Sequence, residues 1–144
     1  MTRFIHDQFS KDYLEMLLSA YGSATAGQSL RSEIKEIDLF FCPGEYQLSL
    51  SLLGLLGQFC LTPCLFEPYR NPVTLEEVLD CVSKLLAVRQ DLLREAKRKK
   101  TRLSEEEKPR LWILTPTASD RLLGRFSAQL SSEWGPGIYF LPDA

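Results

Sequence analysis

The chain has 144 residues, 44% hydrophobic and 25% charged, a size and composition ordinary for one soluble globular domain with a real core. Seventeen Lys and Arg against nineteen Asp and Glu leave a formal charge of −2, which excludes a broadly cationic nucleic-acid coat but not a local basic patch. Four cysteines and a single histidine, His6, make a poor zinc set, since only Cys60 and Cys64 are close in sequence.

The first residues lack the apolar core of a signal peptide. The stretch from Leu48 to Leu61 is too short and too interrupted to span a bilayer, so a cytoplasmic protein with reduced thiols is expected. Residues 5–21 predict an amphipathic helix, with Phe9, Tyr13, Met16, Leu17 and Ala20 at three- and four-residue steps and Gly22 as the stop. Residues 23–32 are small and polar around Gly27 and predict a turn and a short strand, hairpin-paired with a strand over 34–41. In that second strand Ile37, Leu39 and Phe41 are expected on one face and Glu36, Asp38 and Phe40 on the other, with Cys42-Pro43-Gly44 ending it. Residues 45–60, rich in Leu and Ser, predict a buried helix in which Gly54 and Gly57 each cost about 1 kcal/mol relative to Ala. Thr62-Pro63 restarts the chain as a strand running to Arg70, and Asn71-Pro72 breaks it.

Thr74 and Glu77 then form a capping box. Leu75, Val78, Leu79, Val82, Leu85, Leu86, Leu92 and Leu93 give an apolar stripe on a helix reaching about residue 98. Arg94, Lys97, Arg98, Lys99, Lys100 and Arg102 crowd its end. They serve either as a solvated, dipole-favoured terminus or as a salt-dependent grip on the phosphates of DNA. Ser104 to Glu107 reads as an acidic counterweight or a short helical turn, Leu111 to Leu114 as an apolar strand closed by Thr115-Pro116, Ser119 to Leu130 as a helix, and Gly137 to Leu141 as a last strand. The sum is a single α/β domain, a mixed sheet flanked by helices. The strand, helix, strand order between 34 and 70 allows a right-handed crossover that makes Asp38 and Glu67 neighbours.

An acid inside an apolar strand is costly to bury unless it is paired or holds a metal. Asp38 and Glu67 on neighbouring strands would together suit a hard cation such as Mg²⁺, and a cation held that way would serve phosphodiester hydrolysis. The plainer alternative makes both of them strand-edge acids in salt bridges or at solvated ends. His6 stands as a general acid/base or as a capping residue, Tyr69 as a packing residue or a hydrogen-bonding group over the site, and Trp112 and Trp134 as core and interface aromatics. The run Thr115 to Ser119 reads as a strand stop and a helix cap before Asp120.

The opening His6-Asp7-Gln8-Phe9-Ser10-Lys11 resembles the H-D-x-F-x-K start of the recombination-promoting nuclease and transposase-like group, within the PD-(D/E)XK nuclease-like superfamily. Glu36 to Phe40 resembles that group's acid-bearing strand. Met1 to Tyr13, Thr62 to Pro72, Arg94 to Arg98 and Leu111 to Pro116 are similar to a group of cyanobacterial proteins, some named flagellar assembly protein H. The resemblance implies a restriction-endonuclease-like core: one helix, a three-stranded meander, a second helix and a further strand, with longer relatives continuing beyond. It implies an Mg²⁺-dependent DNA endonuclease, with Asp38 and Glu67 as metal ligands and Glu15 as an accessory ligand. Two departures stand out. Tyr69 occupies the position of the motif lysine, leaving Arg70, on the opposite strand face, as the nearest cation to offset transition-state charge; and a long segment separates the two acids. The alternative is a non-catalytic DNA- or protein-interaction module with the nuclease fold, able to form a homodimer through the helix at 74–98 and the segment 48–61.

Overall fold

The computed structural model describes residues 5–29, 36–44 and 53–142. Helix α1 (Ile5–Leu18) ends short of the expected residue 21 and leads through a turn at Tyr21 into the sheet. It turns a different face inward from the one its apolar spacing predicts. Phe9, Tyr13 and Met16 are exposed, with Phe9 stacked on Tyr13 at 6.2 Å, while Lys11 and Leu18 are buried and Leu14 packs on the core. Residues 11, 14 and 18 form their own i, i+3, i+7 line, and a buried ion pair at Lys11 keeps that line against the sheet.

Strands β1 (Gly22–Ser29), β2 (Glu36–Pro43) and β3 (Cys64–Pro68) form an antiparallel meander, and β4 (Arg110–Leu114) pairs parallel with β3, giving the order β1-β2-β3-β4. The fold is therefore α/β with a mixed sheet and flanking helices. Asp38 and Glu67 become neighbours by antiparallel pairing of β2 with β3, in register Leu39↔Phe66 and Phe41↔Cys64, rather than by a crossover. The parallel connection lies one step later, where helix α3 (Leu75–Arg98) links β3 to β4. Of the helix expected over 45–60, residues 45–52 lie outside the described residues. The remainder gives the short α2 (Leu55–Phe59), which starts at Gly54, whose φ of 61° suits glycine.

The end of the chain also departs from expectation. Helix α4 (Asp120–Arg125) is capped by the Ser119 side chain and stops early because the chain turns at Ser127, whose φ is 51°. The last strand does not join the main sheet. Instead β5 (Gln129–Leu130) and β6 (Tyr139–Phe140) make a separate two-stranded ribbon. Aromatic packing ties the ribbon to the body: Trp134 stacks on Phe59 with centroids 5.5 Å apart, and Phe59 stacks on Trp112 at 4.0 Å.

Two apolar clusters cover the sheet. Leu18, Leu39, Phe41, Phe59, Cys60, Cys64, Phe66 and Trp112 form one. Ile37 and Leu65 form the other with Ala87 and Val88 of α3. Ile37 thus parts from Leu39 and Phe41, whose face it was expected to share. The β1–β2 ladder keeps one register from Ala26↔Leu39 to Gln28↔Ile37, and between those pairs Gly27, at φ 68°, falls opposite Asp38. All four cysteines carry free thiols, three of them buried. Among the described residues no helix is long and apolar enough to cross a membrane.

Candidate acidic site between two strands and two helices

The ladder between β2 and β3 stops at Leu39↔Phe66, and beyond it the acids take over. The backbone N–H of Asp38 donates to Glu67 Oε2 at 2.9 Å, so a side chain satisfies a strand donor where the backbone pairing ends. Glu67 is fully buried and Asp38 is 8% exposed. Each carboxylate meets a lysine. Lys11 Nζ of α1 lies 2.7 Å from Asp38 Oδ1, and Lys84 Nζ of α3 lies 2.7 Å from Glu67 Oε1 and 3.7 Å from Asp80 Oδ2. Both lysines are themselves buried. Glu67 Oε1 accepts no well-aligned hydrogen bond; the ammonium reaches it as a charge contact.

The electrostatics follow from that placement. Burial, reinforced by the charge of Asp38, pushes the Glu67 carboxyl up to about 8 against the opposing pull of Lys84. For Lys84 burial is the largest single influence and favours the neutral amine, but Glu67, Asp38 and Asp80 together outweigh it and hold the ammonium above its ordinary range. The four groups form one network in which each buried acid faces an ammonium, with the exposed Asp80 at its edge. Beside it the Tyr69 hydroxyl and the Cys81 thiol are 3.0 Å apart. Burial, then the thiol contact, raises the Tyr69 phenol, and burial pushes Cys81 up to about 12 although Tyr69 opposes the shift. Both stay protonated at neutral pH.

Of the residues singled out from sequence, Asp38 and Glu67 come together. Arg70 sits exposed in the bend after β3, and the cation that meets Glu67 is Lys84 instead. Glu15 is half-buried one turn beyond Lys11 on α1. Among the described residues no group of three His, Cys, Asp or Glu side chains converges closely enough to hold a metal. His6 lies on α1, and its side chain is outside the described residues. The run Thr115 to Ser119 is structural: the Thr115 hydroxyl accepts from Val73 N–H and donates to the Thr117 carbonyl, and Ser119 caps α4.

The basic run is remote from the acids. Lys97 follows Lys84 by thirteen positions, which is roughly 20 Å along a helix axis. Arg94 pairs with Asp91, and Arg98 and Lys99 with Glu95. Among the described residues Lys97, Lys100 and Arg102 take part in no ion pair.

Sequence reasoning missed the two lysines. Lys84 falls three residues after Cys81 and four before Val88, in the middle of the stripe that α3 buries: Val78, Cys81, Lys84, Ala87 and Val88. Of the stripe expected from leucine spacing, Val78 is buried and Leu85 and Leu92 pack on the core, while Leu79, Leu86 and Leu93 are exposed. A lysine at an inward helical position, facing strands that carry acids, was the available signal. Compared with protein-family models, with curated proteins and with solved structures, the chain matches none of them.

Proposed function

We propose that this protein is an Mg²⁺-dependent DNA endonuclease of the PD-(D/E)XK kind. The observation that carries the reading is the meeting of Asp38 and Glu67 at the parting ends of β2 and β3 with Lys84 against Glu67. The element order supports it: a helix, a three-stranded antiparallel meander, a long helix and a parallel fourth strand are the core that the resemblance implies. Lys84 also supplies from α3 the ammonium that Tyr69 cannot.

The donor set fits a hard divalent ion. The two carboxylates offer oxygen ligands, Glu67 Oε1 lacks an aligned donor, and the strained ionisation of Glu67 marks a place where added positive charge is favoured. Asp38 and Glu67 would hold the ion, which when bound polarises a phosphoryl oxygen and activates water. Lys84 keeps Glu67 in place and presents positive charge where the transition state gathers negative charge. Lys11 holds Asp38 against the sheet. The cations past Lys97 would track the DNA backbone.

The experiment is nicking of supercoiled plasmid in Mg²⁺ by the wild type beside Asp38→Ala and Lys84→Met. The wild type should nick and both variants should lose activity by about 10²-fold or more. Equal nicking by all three would falsify the assignment. A second reading, a non-catalytic interaction module, is favoured by one observation: each acid already has a lysine as its partner. It gains if Mg²⁺ and Mn²⁺ leave the melting temperature unchanged.

A further inference from the structure

Helix α3 carries two apolar stripes. One, through Val78, Cys81, Ala87 and Val88, is buried against the sheet. The other runs through Leu79, Leu86 and Leu93, which are 46%, 49% and 49% exposed, with Leu75 and Val82 half-buried at its border. The three leucines are spaced by seven residues, and an α-helix drifts only about 20° per heptad, so they form one line along the outer surface. Such a seam costs free energy in water and is the pattern that coiled-coil interfaces bury.

The charges beside the seam say what covers it. On one flank Glu76 stands at the N-terminal end and Arg94 at the C-terminal end, both exposed. The two residues are eighteen positions apart, five full turns, so they lie on the same side of the helix. Glu76 takes part in no ion pair among the described residues, and Arg94 pairs only with Asp91 on its own helix. When two copies of a helix pair antiparallel about a two-fold axis, like flanks meet with their ends exchanged. With the axis at Leu86, each Leu79 meets the other copy's Leu93, and each Glu76 comes beside the other copy's Arg94. A parallel two-fold pairing would instead set unlike flanks against each other, so that Glu76 and Arg94 of one copy would meet neither Arg94 nor Glu76 of the other. Lys97, one turn past Leu93, would lay its stem over Leu75 and carry its ammonium towards the acidic end.

We infer that a second copy of this chain covers the outer face of α3, as an antiparallel helix pair centred on Leu86. The inference is independent of the nuclease reading, since the seam lies on the side of α3 turned away from Glu67 and Lys84. Lys99, Lys100 and Arg102 lie beyond the seam and stay clear of it.

Sedimentation equilibrium on the full chain tests it. The wild type should approach twice its 16.4 kDa mass at high micromolar concentration. Leu86→Glu places like charges at the two-fold axis and should weaken association by about 100-fold or more, with an unchanged circular dichroism spectrum. Glu76→Arg and Arg94→Glu should each weaken it by about tenfold, and the double variant, which restores opposite charges across an antiparallel pair, should recover to within about threefold of the wild type. A monomeric wild type overturns the inference, as does a Leu86→Glu variant that still dimerises. A double variant no stronger than the singles removes the antiparallel arrangement.

Discussion

Replacing Lys84 by Met should destabilise the protein by an amount that depends on pH, and the dependence separates a charge role from a packing role. Glu67 is fully buried and its carboxyl titrates near 8. The unfolded chain gives up that proton near 4.5. Between those values the folded state holds more protons than the unfolded state, so stability falls as pH rises through the window. Each unit of separation corresponds to about 1.4 kcal/mol, which bounds the loss at about 5 kcal/mol. Below pH 6 the carboxyl is protonated in both proteins, and Met fills most of the volume of the lysine stem. The cost there should be about 1 kcal/mol. Above pH 8 the wild type pairs an ionised Glu67 with Lys84 at 2.7 Å. The variant keeps the proton instead, and at pH 9, one unit above the wild-type value, this adds up to about 1.4 kcal/mol to the penalty. Urea unfolding of both proteins at pH 5.5 and pH 9 measures the difference directly, and the gap in melting point should widen by about 5 °C between the two. Titrations common to both proteins cancel. A penalty that is the same at both pH values, or none at either, would refute the coupling of Lys84 to Glu67.

Other expectations follow from the same geometry. A divalent ion held as proposed by Asp38 and Glu67 would compete with the proton on Glu67, so the rise in melting temperature from Mg²⁺ or Mn²⁺ should be larger at pH 8.5 than at pH 6.5, and Glu67→Gln should abolish it; an equal rise at both pH values counts against the site. Neutralising Lys97, Lys99, Lys100 and Arg102 should lower the salt slope of DNA binding by about 0.9 for every phosphate that a cation no longer neutralises, and an unchanged slope in a filter-binding assay places the DNA elsewhere on the surface. Gly22→Ala should disrupt the hairpin between β1 and β2, because a Cβ there runs into the Cys42 carbonyl oxygen and lies 2.9 Å from the Gly44 nitrogen. The loss should be several kcal/mol by chemical denaturation, and a stable variant would mean the strands can part at that point.

What could be read from the chain, and what could not, divides by range. The start of α3 was legible because its capping box is local: Thr74 and Glu77 satisfy each other's backbone donors across three residues. The pairing of Asp38 with Glu67 was legible as a juxtaposition because buried acids need company, but its cause was misread. A helix between strands suggested a crossover, whereas the chain returns antiparallel, and the decisive contact is a side chain replacing a ladder bond at Asp38 N–H. The face of α1 and part of the face of α3 were misread for one shared reason. Period analysis rewards apolar residues, and on both helices the inward line contains a lysine: Lys11 with Leu14 and Leu18, Lys84 with Cys81 and Val88. The more apolar lines, Phe9-Tyr13-Met16 and Leu79-Leu86-Leu93, stayed outside. The cost of burying Asp38 and Glu67 selects which face of each helix turns inward, because an ammonium at 2.7 Å is worth more to a buried carboxylate than another leucine is to the core. The acids on the strands and the lysines on the helices were therefore one signal, and each half could have been used to find the other.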